Sequence, residues 1–151
     1  MKTITVNRKA LHDYHILETI EGGLVLLGTE IKSIREGRVN LREAYVRPYG
    51  NELWLLNAHI SIYSAGNLNN HDPVRPRKIL LHKDQISRID GAISGKGTTM
   101  VALRLYIKNH YAKVLLGLAK GKKLYDKRQT IAKRDAEREM RRAIKMTNNR
   151  R

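Results

Sequence analysis

The stretch Met100–Leu118, MVALRLYIKNHYAKVLLGL, decides the fold. Apolar Val101, Leu103, Leu105 and Ile107 alternate with Arg104, Tyr106 and Lys108, Asn109-His110 sits at the turn, and Val114, Leu116 and Leu118 alternate back. A period of two on both sides of a two-residue turn predicts a β-hairpin.

Upstream, the helix between Lys83 and Ile93 is expected from Ile86, Ile89 and Ile93 at helical spacing, with Asp84 as cap and Gly95-Lys96-Gly97 closing it. Arg75-Pro76-Arg77-Lys78 leads directly into Ile79-Leu80-Leu81; proline keeps the entry extended, and three cations beside an apolar run make a phosphate-contact candidate. Leu80 is either a core residue, the favoured reading, or an exposed apolar contact. Gly66–Pro73 is a loop by composition. Further back, Val39–Arg47 and Glu52–Asn57 read as strands joined by Pro48-Tyr49-Gly50-Asn51, with Trp54 on the second and a short strand at Ile60 and Ile62. Thr29 is expected to cap a short helix that Gly37 stops. Tyr14–Ile20 is a strand, Gly22-Gly23 predicts a bulge or bend, and Leu24-Val25-Leu26-Leu27 resumes buried. Glu21 beside the glycines is an exposed carboxylate, either solvated or accepting from base edges. Met1–Val6 reads as a loose arm and Asn7-Arg8-Lys9-Ala10 as a solvated basic terminus. Six or seven short strands with two or three short helices and a terminal helix predict a mainly β protein, a small antiparallel barrel, with a β-sandwich as the alternative.

The last segment differs in composition. Residues 120–151 hold 13 Lys/Arg against 4 Asp/Glu, which leaves +9 of the formal +16 on a fifth of the chain. Such crowding calls for a polyanion partner. Asp126 and Gln129 have capping-box spacing, and Glu137 and Arg141 fit an i,i+4 pair worth about 0.2–0.5 kcal/mol. The apolar stripe is mostly alanine, so it anchors a helix weakly. This divides the chain into a barrel domain over 1–131, including the start of the terminal helix, and a basic tail over 132–151, disordered or fraying when free and helical on RNA. A solvated surface helix with a frayed end is the alternative.

Length and composition narrow the class. A chain of 151 residues suits one domain with a real core. Without cysteine it has no disulfide or thiolate metal site. No apolar run could span a bilayer and no secretory signal leads the chain, so a cytoplasmic protein with no membrane partner is expected. With no Phe, one Trp and seven Tyr, extensive base stacking is disfavoured. His12 and His15 are i,i+3 partners without a third ligand, and His59, His71, His82 and His110 are scattered, so no metal is expected. No nucleophile elbow, phosphate-cradling loop or carboxylate pair is present, so neither catalysis nor a cofactor is expected.

Four motifs in order carry a resemblance. They are Asn7-Arg8-Lys9-Ala10; Gly28-Thr29-Glu30-Ile31-Lys32-Ser33-Ile34-Arg35 with Gly37; His71-Asp72-Pro73-x-Arg75-x-Arg77-Lys78-x-Leu80-Leu81; and Leu118-Ala119-x-Gly121-Lys122-Lys123-x-Tyr125-Asp126-Lys127-Arg128. From Asn7 to about Lys145 the chain resembles the small protein B (SmpB) family, the SsrA-binding proteins that partner transfer-messenger RNA (tmRNA). The resemblance implies an oligonucleotide-binding (OB) type barrel that grips the tRNA-like domain of tmRNA. It also implies delivery of charged tmRNA, with an elongation factor and GTP, to stalled ribosomes, where small-subunit RNA is the chief contact. RNA contacts are implied at Asn7, Glu21 and Leu80, helped by Arg8, Lys9, Lys32 and Arg35, and by Arg75, Arg77 and Lys78. Gly121, Lys122, Lys123, Tyr125, Asp126, Lys127 and Arg128 match the ribosome-facing part. The tail cations Lys133, Arg134, Arg138, Arg141, Arg142 and Lys145 would enter the empty mRNA channel. Some members carry a tail tryptophan where Ala136 falls here. A basic ribosomal or general RNA-binding protein, and an RNA-processing enzyme, are the rival readings.

Overall fold

In the computed structural model, which describes residues 1–63, 70–94, 97–122, 134 and 138–142, the hairpin forms as expected. β8 (Thr98–Lys108) and β9 (Tyr111–Gly121) are antiparallel and pair from Lys108↔Tyr111 to Thr98↔Lys120. Asn109 and His110 both have positive φ, 51° and 69°, the requirement of a type I′ turn. The single alternation expected along β8 is corrected. A bulge between Ala102 and Arg104 shifts the register by one residue. Met100 and Ala102 face the main core before the bulge, Leu105 and Ile107 after it. Val101 and Leu103 turn the other way, into a small cluster with Ala10 and Ala119. Gly117 admits this packing, because a Cβ there would stand 2.7 Å from Leu103 Cδ1.

The other strands are β1 (Lys2–Val6), β2 (Tyr14–Leu24), β3 (Val39–Asn40), β4 (Tyr45–Tyr49), β5 (Glu52–Leu56), β6 (His59–Ile60) and β7 (Arg77–Leu80). Seven form one sheet in the order β1-β8-β4-β5-β7-β2-β9, and the extra β8–β9 pairing curls it into a ring. β3 and β6 make a separate two-stranded piece. The ring is the expected mainly β, antiparallel, OB-type barrel, and it displaces the sandwich alternative. Ile34, Leu53, Leu55, Ile79, Leu105, Val114 and Leu116 fill it, each at most 1% exposed. Each such aliphatic side chain gains about 1.5–3 kcal/mol by leaving water.

Several expected boundaries move, each for a physical reason. Met1–Val6 is no loose arm: β1 pairs with β8 from Lys2↔Ile107 to Val6↔Arg104. The basic terminus is the start of helix α1 (Arg8–Asp13), capped by the Asn7 side chain, which accepts from Ala10 N–H at 3.1 Å. β2 runs unbroken through Gly22-Gly23; its bulge lies between Ile16 and Glu18. Val25 and Leu27 beyond it are exposed, not buried. Helix α2 (Gly28–Arg35) starts ahead of Thr29, because Glu30 reaches back to the Leu27 N–H at 2.8 Å. Its expected stop holds. Gly37 has φ 77°, its N–H reaches Ile34 O, and Arg38 N–H reaches Ser33 O, a Schellman pair. Val39–Arg47 divides because Asn40 Oδ1 accepts from Arg42 N–H and Leu41 O accepts from Ala44 N–H, turning the chain between β3 and β4. Helix α3 (Lys83–Ile93) is capped at His82, whose N–H donates to Gln85 Oε1, rather than at Asp84.

The chain divides into two compact units, residues 1–121 and 122–151. In the second, Arg134 and residues 138–142 are α-helical and exposed. The boundary expected between 131 and 132, the Asp126–Gln129 box, and Glu137 of the expected pair with Arg141 fall on residues outside the described ones.

Candidate nucleic-acid interface

Glu21 lies exposed on β2 at the point where the sheet passes to β7. The glycines after it permit the close approach of β7. A Cβ on Gly22 would meet Ile79 Cγ2 at 2.7 Å, so only glycine lets the two strands close. The register then sets Leu80 opposite Gly23, outward and 52% exposed, instead of in the core. The Tyr106 hydroxyl donates to Glu21 Oε2, and Lys108 Nζ stands 3.6 Å from Oε1. The Tyr106 bond holds the Glu21 carboxyl below its usual range, against the opposing effect of partial desolvation and with help from Lys108 and Lys113. Burial, then the bond to Glu21, pushes the Tyr106 hydroxyl up to about 12. The Arg104 guanidinium lies 5.6 Å over the Tyr106 ring. An oriented carboxylate, an exposed leucine and the cations Lys108 and Lys113 therefore share one patch. The carboxylate can accept from base N–H groups, the leucine can pack on a base or ribose, and the lysines can meet phosphate.

The other expected RNA contacts scatter. Asn7 is buried, and its Nδ2 donates to Leu41 O at 2.7 Å and Ala102 O at 2.8 Å, so it ties α1 to the barrel. Arg77 is fully buried. Its Nε donates to Glu30 Oε2 at 2.6 Å, its Nη1 to Ala58 O at 2.6 Å and its Nη2 to Pro73 O at 3.1 Å. Arg75 joins them, donating to Glu30 Oε1 at 2.6 Å. Lys32 and Arg35 are exposed on α2, with Lys32 5.3 Å over the Tyr63 ring. Lys78 meets Glu52 at 3.3 Å, and Lys9 meets Glu43 at 2.7 Å. Arg8 is exposed. Of the ribosome-facing set, Gly121 ends β9, Lys122 follows it, and Arg134, Arg138, Arg141 and Arg142 are exposed and helical. Lys123, Tyr125, Asp126, Lys127, Arg128, Lys133 and Lys145 lie outside the described residues. Among the described residues, no cluster of His, Asp or Glu could hold a metal, and no helix is long and apolar enough to cross a membrane.

The family described as SmpB protein matches residues 4–146. The chain belongs to the SmpB family. An SsrA-binding protein of Carboxydothermus hydrogenoformans is 59% identical over 95% of this chain and 97% of its own length. One from Enterococcus faecalis is 55% identical over 99% and 96%. A solved structure presented as "tmRNA-SmpB: a journey to the center of the bacterial ribosome" superposes with TM-score 0.71 at 44% identity, covering 87% of this chain and 95% of that one. Within this SmpB-family fold, Tyr106, Lys108 and Lys113 are members of the Glu21 patch that sequence reasoning missed. Tyr106 and Lys108 do share the even-numbered face of the predicted hairpin, but nothing local in the sequence brings β8 beside Glu21.

Proposed function

We propose that this SmpB-family protein is the tmRNA-binding adaptor of trans-translation. It binds the tRNA-like domain and brings it to stalled ribosomes in the cytoplasm, where charged tmRNA arrives with an elongation factor and GTP. The observation that carries the reading is the Glu21–Tyr106–Lys108 arrangement beside exposed Leu80 on a net basic barrel. Because Glu21 is held ionised and aimed before RNA arrives, little ordering is left to pay on binding. The rigid body reads shape and edges of folded RNA. The tail cations, by this proposal, order against ribosomal phosphates in the vacant mRNA channel and release counterions. The role is recognition and delivery, with no bond made or broken by the protein.

RNA captured from a bacterial extract by the full chain and sequenced should be dominated by tmRNA. Glu21→Ala and Leu80→Ala should each cut that capture, and affinity should fall steeply with salt. Stoichiometric co-sedimentation with all ribosomes, stalled or not, would instead mark a structural ribosomal protein. A log–log salt slope near zero would contradict the electrostatic mechanism.

A further inference from the structure

The outer face of β4, β5 and β7 carries a composition that the Glu21 patch does not use. Val46, Leu53, Leu55, Arg77 and Ile79 point inward and are buried. Their neighbours therefore point outward. The register sets Arg47 opposite Trp54 and Trp54 opposite Lys78, a row of cation, indole and cation across three adjacent strands. At a strand spacing of about 4.8 Å, Arg47 and Lys78 are the cross-strand neighbours of Trp54 on either side. Tyr49, 81% exposed, extends the row along β4. An open groove of about 900 Å³ lies over this face, lined also by Leu56 and Pro76, by Ile93 at the end of α3, and by Ser94 that caps it.

We propose that this face is a second RNA subsite, a stacking platform for unpaired nucleotides, with Trp54 and Tyr49 supplying ring faces and Arg47 and Lys78 supplying phosphate contacts. The inference rests on the proposed function only in taking RNA as the ligand. Two observations select RNA, and a third marks Trp54 as more than packing. Arg47 has no carboxylate partner among the described residues, and Lys78 has only the exposed Glu52 at 3.3 Å, a pair that phosphate can replace. Leu80 lies two residues beyond Lys78 on the same face of β7, so the platform is continuous with the Glu21 patch. Trp54 Nε1 is buried with no acceptor among the described residues, a cost that a phenylalanine or leucine kept only for packing would not incur. Asp90 lines the groove and Glu52 stands beside Lys78, which leaves the phosphate path nearest Arg47. An aromatic groove with Pro48 and Pro76 could also seat an extended proline-rich peptide, but the flanking cations favour RNA.

Trp54 is the only tryptophan, so its emission reports on this face alone. Titrating single-stranded hexaadenylate into the full chain should quench that emission saturably. Tyr49→Ala should weaken the quenching about tenfold, the loss of one stacked base, and Arg47→Ala should lower the log–log salt slope by about one. Both variants keep Trp54 and alter exposed side chains, so folding is not at issue. If labelled hexaadenylate binds by anisotropy while Trp54 emission stays constant, the platform is overturned. It is equally overturned if a proline-rich decapeptide quenches and hexaadenylate does not. Binding of a tRNA-like RNA by the same preparation is scored separately. Its loss with quenching intact would sink the proposed function and leave the platform standing, whereas its presence without quenching would do the reverse.

Discussion

Cutting the buried Glu30–Arg77 pair at one end should unfold the barrel far more easily than removing both ends. Both side chains are 0% exposed, and Arg77 spends three donor nitrogens on Glu30, Ala58 O and Pro73 O. Glu30→Ala leaves the Arg77 cation in the interior with carbonyls and only the through-space attraction of Asp72. Breaking such a pair costs about 3–5 kcal/mol, against about 5–15 kcal/mol for the whole stability of a domain. Arg77→Ala should cost less, about 3 kcal/mol, because Arg75 at 2.6 Å and the Leu27 N–H at 2.8 Å still hold the Glu30 carboxylate. In urea, a loss of about 4 kcal/mol at a slope of about 2 kcal/mol/M moves the midpoint down by about 2 M. The double variant Glu30→Leu/Arg77→Met should cost less than Glu30→Ala alone, because no charge stays stranded. Equilibrium urea unfolding of the four proteins, followed by Trp54 emission and circular dichroism, checks this. A Glu30→Ala cost below about 1 kcal/mol, or a double-variant cost equal to or above that of Glu30→Ala, would refute the reasoning.

The same pair sets an acid limb. Burial raises the Glu30 carboxyl, but the bonds from Arg75, Leu27 N–H and Arg77 outweigh it and hold the group below its ordinary range. Its contribution is therefore present above an unfolded carboxyl value of about 4.3 and vanishes as pH falls through the lower folded value. Thermal melts from pH 6 to pH 2 should show that limb in the wild type and a shallower one in Glu30→Gln. Gly22→Ala forces a methyl to 2.7 Å from Ile79 Cγ2, and calorimetry should find Tm lowered by about 5 °C. Tyr106→Phe should cut tmRNA affinity about tenfold in a gel shift, through loss of a hydrogen bond to a charged group, and lower Tm by a few degrees. Removing the charges of Lys122, Lys123, Lys127 and Arg128 together should leave tmRNA binding intact while tagging of stalled products stops; equal loss of both would refute a separate ribosome-facing segment.

What could be read from the chain was what is decided within a few residues. Asn109-His110 between alternating runs gave the hairpin, and Gly37 after Arg35-Glu36 gave the helix stop, since both depend on local backbone angles. The five residues of β1 carry no such signal, because their partner β8 lies about a hundred residues away. The bulge in β8 is equally silent: an unbroken alternation from Val101 to Ile107 looks the same whether or not one residue is left unpaired. Arg77 read as a phosphate contact because two neighbouring cations invite it. Only the fold shows that Glu30, 47 positions earlier, claims it. Leu80 is the opposite case: its run favours the core over an exposed contact, since an apolar residue in an apolar run gives no sign that Gly23 stands opposite and leaves it uncovered.

β9, residues 111–121, pairs along its length with both β2 and β8. During synthesis, then, the ring cannot shut until the final strand has cleared the exit tunnel, however early the other strands emerge. A copy cut short before that point would carry two long open edges, the template for adhesion to other chains. A damaged message for this very protein would thus yield a sticky fragment rather than a weak substitute.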